Sequence, residues 1–124
     1  MTIKNCLDLV DQLTGNQIDR AIKVMWLDNL DRVIYTDVLQ KHVGTDEIEF
    51  SGYDGDTDGD TVLLAPAPYD EVYRWYLEMQ IHGVNSEVVR SNNAAAKYNA
   101  AMLSYMDYVN RTYMPKGQKN LKLY

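Results

Sequence analysis

An apolar stripe between residues 18 and 38 constrains the fold of this chain more than any other feature. Its members recur at three- and four-residue steps, the spacing that places side chains on one side of an α-helix: Ile18, Ile22, Met25, Trp26, Leu30, Val33, Ile34 and Val38. Gly15 precedes the stripe as a helix stop, and Asn16 can cap the helix that follows. The pattern predicts one long helix that ends at about His42.

Three further stretches carry the same spacing, and each predicts a helix. The first covers 3–13, with apolar residues Ile3, Cys6, Leu7, Val10 and Leu13. A third helix begins at Pro68, whose missing N–H suits a first helical position. Its apolar side is formed by Tyr69, Val72, Tyr73, Tyr76, Met79 and Val84. A final helix ends before Pro115 and carries Tyr98, Met102, Tyr105, Val109 and Thr112.

The connection between the last two helices allows two interpretations. The Arg-Ser-Asn-Asn run at 90–93 indicates a break or a cap. We favour a full reversal within 84–92, which makes an antiparallel helix pair, and a simple bend is the alternative.

Residues 45–67 lack a helical period. Short β-type runs at 48–50 and 62–65 flank a stretch rich in Gly and Asp, which favours a small hairpin. The predicted fold is mainly α: a small bundle of about four helices, with a short β-hairpin or extended loop inserted between helices 2 and 3. We expect a helical domain over 1–116, with this insertion at about 45–67, and a basic extended tail at 117–124.

Composition narrows the class of protein. The 124 residues suit one domain with its own core, and the formal net charge of -6 argues against a protein that mainly grips nucleic acid. A single cysteine, Cys6, excludes an internal disulfide. No apolar run approaches the roughly 18 residues of a membrane helix, and the start lacks the apolar core of a signal peptide. We expect a soluble protein made inside a cell.

Tyrosine is unusually abundant, with ten Tyr against one Phe. Tyr combines an apolar ring with a polar end, which suits a surface that becomes buried when a partner binds. Compositional drift explains the excess equally well.

Residues 54–65, DGDTDGDTVLLA, resemble a calcium loop of the EF-hand type. Such a loop needs oxygen ligands at positions 1, 3 and 5, Gly at position 6 and a bidentate Glu at position 12. The first four requirements are met by Asp54, Asp56, Asp58 and Gly59. Position 12 is Ala65, and the flanking residues do not read as helices. We predict a solvated acidic loop, with weak cation binding by Asp54, Asp56 and Asp58 as the alternative.

No residue pattern indicates catalysis. His42 and His82 lie on different predicted helices without a recognisable partner, and Cys6 lies on an apolar helix side, where an inert thiol is expected. The acidic residues show no catalytic pairing, and the Gly-rich stretch lacks the Lys of a phosphate loop. We therefore predict no enzyme, no catalytic, cofactor-binding or metal-binding residue, and no cofactor.

Three stretches resemble the head–tail connector, or adaptor, proteins of tailed bacteriophages, which are also called head completion proteins. They cover 6–35, 62–81 and 92–116, so the resemblance spans most of the chain in order. The most specific motifs are WLDNLD followed by IY, PYDEVY, and YN followed by NRTYMPK. The chain departs from the family pattern in the Asp- and Gly-rich insertion at 54–60.

The resemblance implies a structural virion protein in the neck, assembled in the cytoplasm of the bacterial host. Its implied partners are the portal protein, copies of itself in a ring, commonly a dodecamer, and a tail or stopper protein. DNA would pass through the ring without sequence-specific binding, which the negative net charge suits, and no membrane is involved. Tyr-rich helix sides would serve as subunit contacts, and the hairpin and tail would gain partners from neighbours.

Two other functions stay open at this level. One is an acidic calcium-binding module that uses Asp54, Asp56 and Asp58. The other is a small regulatory protein that binds another protein through its Tyr-rich side.

Overall fold

Four α-helices build the protein, in a computed structural model that describes residues 1–116. They span Ile3–Thr14 (α1), Arg20–Val33 (α2), Glu71–Val84 (α3) and Val88–Thr112 (α4). α3 is the central element because it contacts each of the other three helices. The prediction of a mainly α fold, a small bundle of about four helices, is confirmed.

The second helix changes its winding before it ends. After α2, the chain continues as a π-helical segment at Ile34–Val38 and a 3-10 segment at Leu39–Lys41, so the predicted single helix is three successive segments. Each π turn closes one residue later than an α turn, which rotates the following side chains about the axis. Val38 and the adjacent Leu39 are both buried.

The apolar stripe predicted for this helix is only partly buried. Its carboxyl half lies in the core as predicted, at Leu30, Ile34 and Val38. Ile22, Met25 and Val33 are instead exposed, and the buried side includes Val24 and Leu27, which the stripe left out. The helix carries apolar residues on two adjacent sides, and contact with the other helices covers only one of them.

The core lies among α1, α2, α3 and the carboxyl half of α4. Its largest fully buried side chains include Tyr73, Tyr105, Ile3, Leu27, Leu30, Ile34, Leu77 and Ile81. The predicted apolar side of α1 is confirmed except at Leu13, which is exposed. On α3 the prediction omitted Leu77 and Ile81 and included Val84, which is exposed at the end of the helix.

Residues 45–67, which we call the acidic loop, form an extended loop between α2 and α3 rather than a hairpin. The runs at 48–50 and 62–65 do not pair with each other; Val62 makes an isolated antiparallel bridge with Thr2. Backbone N–H groups of the loop bond to carboxylates of α2 in place of a second strand. Of the two predicted forms of the insertion, the extended loop is correct.

The reversal predicted within 84–92 is confirmed, and it occupies residues 85–87. α3 begins at Glu71, so Pro68 lies in the preceding turn and not at a first helical position. The run at 90–93, predicted as a break or a cap, is neither and lies inside α4. The reversal needs only the residues between α3 and α4, where Ser86 adopts a positive φ of 60°.

The carboxyl end of the described chain returns to the end of the 3-10 segment. Val43 N–H donates to the Met114 carbonyl at 2.7 Å, and Lys116 N–H donates to the Lys41 carbonyl at 2.8 Å. The predicted extended tail at 117–124 lies outside the described residues. Within residues 1–116, no helix is both long and apolar enough to cross a membrane.

Candidate interaction site

A buried carboxylate on α2 holds the acidic loop in place. Asp31 is fully buried, and its Oδ1 accepts a hydrogen bond from the Tyr73 hydroxyl at 2.6 Å. Its Oδ2 accepts from the Tyr53 hydroxyl at 2.5 Å and from the Leu64 N–H at 3.1 Å. The Tyr73 hydroxyl also accepts a hydrogen bond from the Ala65 N–H at 2.6 Å. The cluster joins α2 and α3 to both arms of the loop.

Burial sets the protonation of this cluster. Loss of water around Asp31 raises the pKa of its carboxyl, and the hydrogen bonds from Tyr53 and Tyr73 oppose that rise. The pKa of both phenols is raised, first by burial and then by the charge on Asp31. Phenols held in the protonated form are fixed donors, so the cluster is suited to anchoring the loop.

Sequence reasoning did not single out Asp31. The helical spacing indicates that Asp31 is buried. Asp31 follows Leu27 by four residues and precedes Ile34 by three, and both of these residues are buried. A carboxylate at such a position must find hydrogen-bond donors inside the protein. Those donors come from residues distant in the sequence, which no local pattern identifies.

The carboxylates that match a calcium loop bond to the loop itself. Asp54 Oδ1 accepts from the Asp56 N–H at 2.9 Å, and Asp58 Oδ1 accepts from the Asp60 N–H at 2.8 Å. These are Asx turns, in which an Asp side chain bonds to the backbone two residues on. Across residues 1–116, no group of three or more His, Cys, Asp or Glu is arranged to hold a metal ion.

The other residues considered for chemistry have separate structural contacts. Cys6 is buried, and burial raises the pKa of its thiol to about 12. His42 is buried, with one ring nitrogen 2.6 Å from a carbonyl of the preceding turn and the other 2.7 Å from Asn110 Oδ1. His82 contacts Glu87 at 3.1 Å across the α3–α4 turn.

The Tyr-rich sides of α3 and α4 face each other. Tyr69 stacks on Tyr108 with ring centroids 4.6 Å apart, and Tyr76 lies 5.3 Å from Tyr98. Tyr73 is fully buried in the core. Tyr73 is therefore not available to a partner. The paired rings of Tyr69, Tyr76, Tyr98 and Tyr108 are half-buried, and subunit contacts through their exposed parts stay a prediction.

An uncovered apolar side of α2 is the first candidate surface. Ile22, Met25 and Val33, which we call the α2 stripe, are 41%, 49% and 46% exposed. At about 100° per residue they lie within roughly 80° of one another around the helix. A groove of about 270 Å³ adjoins the stripe, and its lining includes Ile18, Trp26 and Val84.

Charge is divided unequally along the chain. The acidic loop contains no Lys or Arg and carries Asp46, Glu47, Glu49, Asp54, Asp56, Asp58 and Asp60. Residues 88–124 contain six Lys and Arg against one Asp or Glu, whereas residues 1–87 contain six against seventeen. On α4, Arg90, Lys97 and Arg111 recur at steps of seven and fourteen residues, which places them on one side of the helix.

Comparison of the chain with protein-family models, with curated proteins and with solved structures finds no match. The candidate site is therefore defined by geometry and charge: an acidic loop anchored to α2 beside an uncovered apolar stripe, and a basic α4.

Proposed function

We propose that this protein is a structural virion component, a head–tail connector that forms a ring and joins the portal to the tail. The main support is the apolar surface left uncovered on two helices of a molecule whose core is otherwise closed. Besides the α2 stripe, α4 exposes Leu103 and Met106, at 62% and 38%. Contiguous exposed apolar side chains mark surfaces that a partner covers.

Resemblance to connector proteins in three stretches, at 6–35, 62–81 and 92–116, supports the kind of assembly proposed. The partners in the proposal are the portal protein, copies of the same chain in a ring, commonly twelve, and a tail or stopper protein. The acidic loop contains no Lys or Arg that could neutralise phosphates and release counterions from DNA. A loop of this charge suits a ring through which DNA passes without being bound.

Deletion of the gene in the producing phage or prophage tests this function. We expect DNA-filled heads without attached tails, and a copy of the gene supplied in trans should restore complete particles. In wild-type particles, cryo-EM should place the chain in the neck beside the portal. Complete, infectious particles after deletion, or purified virions that lack the chain, would refute the connector function.

A further inference from the structure

We propose that the tail at 117–124 binds to its own chain, as a β-strand beside residues 46–50 at the start of the acidic loop. We call residues 46–50 the loop edge. The contact lies within one copy of the protein and is separate from the connector function. Three observations support it: an unpaired stretch of backbone, the place where the described chain ends, and a match of apolar and charged side chains.

The loop edge presents backbone groups without a partner strand. Its only backbone hydrogen bond within residues 1–116 joins the Ile48 N–H to the Thr45 carbonyl, at 3.0 Å. Its exposure alternates as in a strand, because Glu47 and Glu49 are exposed whereas Ile48 and Phe50 are half-buried. An extended segment with unpaired N–H and C=O groups is a template for a second strand. The loop edge therefore suits a strand that the described residues do not supply.

The described chain ends beside the loop edge. The Lys116 N–H donates to the Lys41 carbonyl at 2.8 Å, and Lys116 and Asp46 line the same cavity, of about 290 Å³. The tail therefore begins next to the first residue of the loop edge. Its eight residues can extend over about 26 Å, and the five residues of the loop edge need about 16 Å. Because both segments start at this cavity, they would run in parallel.

The side chains of the tail match the two sides of the loop edge. In a strand, Leu121 and Leu123 lie on one side and Lys122 lies on the other. On the half-buried side of the loop edge, the centre of the Phe50 ring lies 6.0 Å from that of the Tyr35 ring, which lines the cavity. The two leucines would cover these rings, and Lys122 would then lie on the exposed side.

Charge favours the same pairing. The loop edge carries Asp46, Glu47 and Glu49, and none of them takes part in an ion pair within residues 1–116. The tail carries Lys119 and Lys122 and no Asp or Glu. Opposite charges on neighbouring strands stabilise the pair, whereas like charges destabilise it. A basic strand therefore suits this edge.

Amide hydrogen exchange in the 124-residue chain tests the contact. The reference is a variant that ends at Lys116, and circular dichroism checks that it is folded. We expect the amides of Glu47 and Glu49, which alternate with the bonded Ile48 amide, to exchange about tenfold more slowly in the whole chain than in the reference. Amides at 54–60, elsewhere in the acidic loop, should exchange equally in both. Equal exchange at Glu47 and Glu49 would overturn the proposal.

Paired substitutions in the tail keep its length and test its side chains. Leu121→Ser with Leu123→Ser should accelerate exchange at the two glutamate amides about tenfold, because it removes the apolar contact. Gln118→Ser with Asn120→Ser is the matched control, since it changes two polar residues of the same tail, and exchange should stay within about twofold. Unchanged exchange in the leucine variant would overturn the proposal even if the reference that ends at Lys116 failed to fold.

Protein concentration identifies the copy that supplies the strand. A contact within one copy gives the same exchange rates at about 0.01 mM and about 1 mM protein, because its effective concentration is fixed by the chain. Protection that appears only at the higher concentration would overturn the proposal in favour of a tail from a second copy.

The outcome is independent of the connector function. A protected loop edge in a chain that is absent from purified virions would refute the connector alone. Presence of the chain in the neck, with no protection at the loop edge, would refute the tail contact alone.

Discussion

The Tyr73 hydroxyl makes two buried hydrogen bonds, because it donates to Asp31 and accepts from the Ala65 N–H. We expect Tyr73→Phe to lower the free energy of unfolding by about 2–4 kcal/mol, because it leaves both groups short of a partner. Tyr53→Phe, at a half-buried position, should lower it by about 1–2 kcal/mol. Urea unfolding measures both changes.

Tyr105 supplies the control for this comparison. Tyr105 is as buried as Tyr73. Within residues 1–116, its hydroxyl makes no hydrogen bond. Tyr105→Phe should therefore change the free energy of unfolding by less than about 1 kcal/mol. Equal losses for the three variants would contradict the anchoring role of the cluster.

Asp31 also gives stability a pH dependence of defined sign. Burial raises its pKa in the folded protein above the ordinary value of 3.8, so the folded state keeps this proton after the unfolded state has lost it. The unfolded state then binds fewer protons, and the free energy of unfolding falls as pH rises from about 3.8 through the folded pKa.

The variant Asp31→Asn isolates this effect, because all other carboxyl groups are shared with the wild type. We expect the stability of the wild type relative to the variant to fall across that window and to become constant above it. Urea unfolding in steps from about pH 3.5 to 7 measures the difference. A relative stability that rises with pH would mean that the folded pKa of Asp31 is lowered instead.

At the level of elements, the α3–α4 turn places a residue other than glycine in a left-handed conformation. Glu87 N–H donates to the His82 carbonyl at 2.8 Å and Ser86 N–H donates to the Gly83 carbonyl at 3.2 Å, the bonds of a Schellman motif. Ser86, with φ of 60°, occupies the position that glycine favours. This local geometry ends α3 and starts the reversal.

Ser86→Gly should therefore stabilise the protein, by about 0.5–1 kcal/mol, because it relieves the steric cost of the positive φ. Ser104→Gly is the matched control in the interior of α4, where it should destabilise the protein by about 0.5 kcal/mol. Thermal unfolding of both variants shows whether each substitution raises or lowers the melting temperature. A Ser86→Gly variant less stable than the wild type would show that the serine side chain contributes more than the strain costs.

The acidic loop shows why local pattern is insufficient at this scale. β-type runs at 48–50 and 62–65 favour a hairpin, yet a hairpin alone is marginal in water. α2 offers carboxylate acceptors to Tyr53 and Leu64, whose N–H groups would otherwise need a second strand. The carboxylates of Asp28 and Asp31 therefore accept hydrogen bonds that a neighbouring strand would accept in a hairpin.

For the whole molecule, calcium separates the structural proposal from the calcium-binding alternative. A ligand that binds only the folded state raises the melting temperature. Because Asp54 and Asp58 bond to their own loop and Glu is missing at position 12, we expect about 1 mM calcium to give the same melting temperature as 1 mM magnesium. A rise with calcium alone, abolished by Asp54→Asn, would support the calcium-binding module.

The helices and much of the core can be derived from residue order alone. Their period of 3.6 residues is local, so the helix over Ile3–Thr14, the core positions Leu30 and Ile34, and the buried Cys6 all follow from spacing. The same spacing also indicates a mainly α bundle of about four helices.

Other features depend on contacts between distant residues. Which side of α2 is buried, whether the insertion pairs as a hairpin, and why Asp31 lies inside all depend on partners 22 to 42 residues away along the chain. The exposed α2 stripe has the same apolar period as a buried one. Periodicity reports that a side is apolar, but packing in three dimensions determines whether another element covers it.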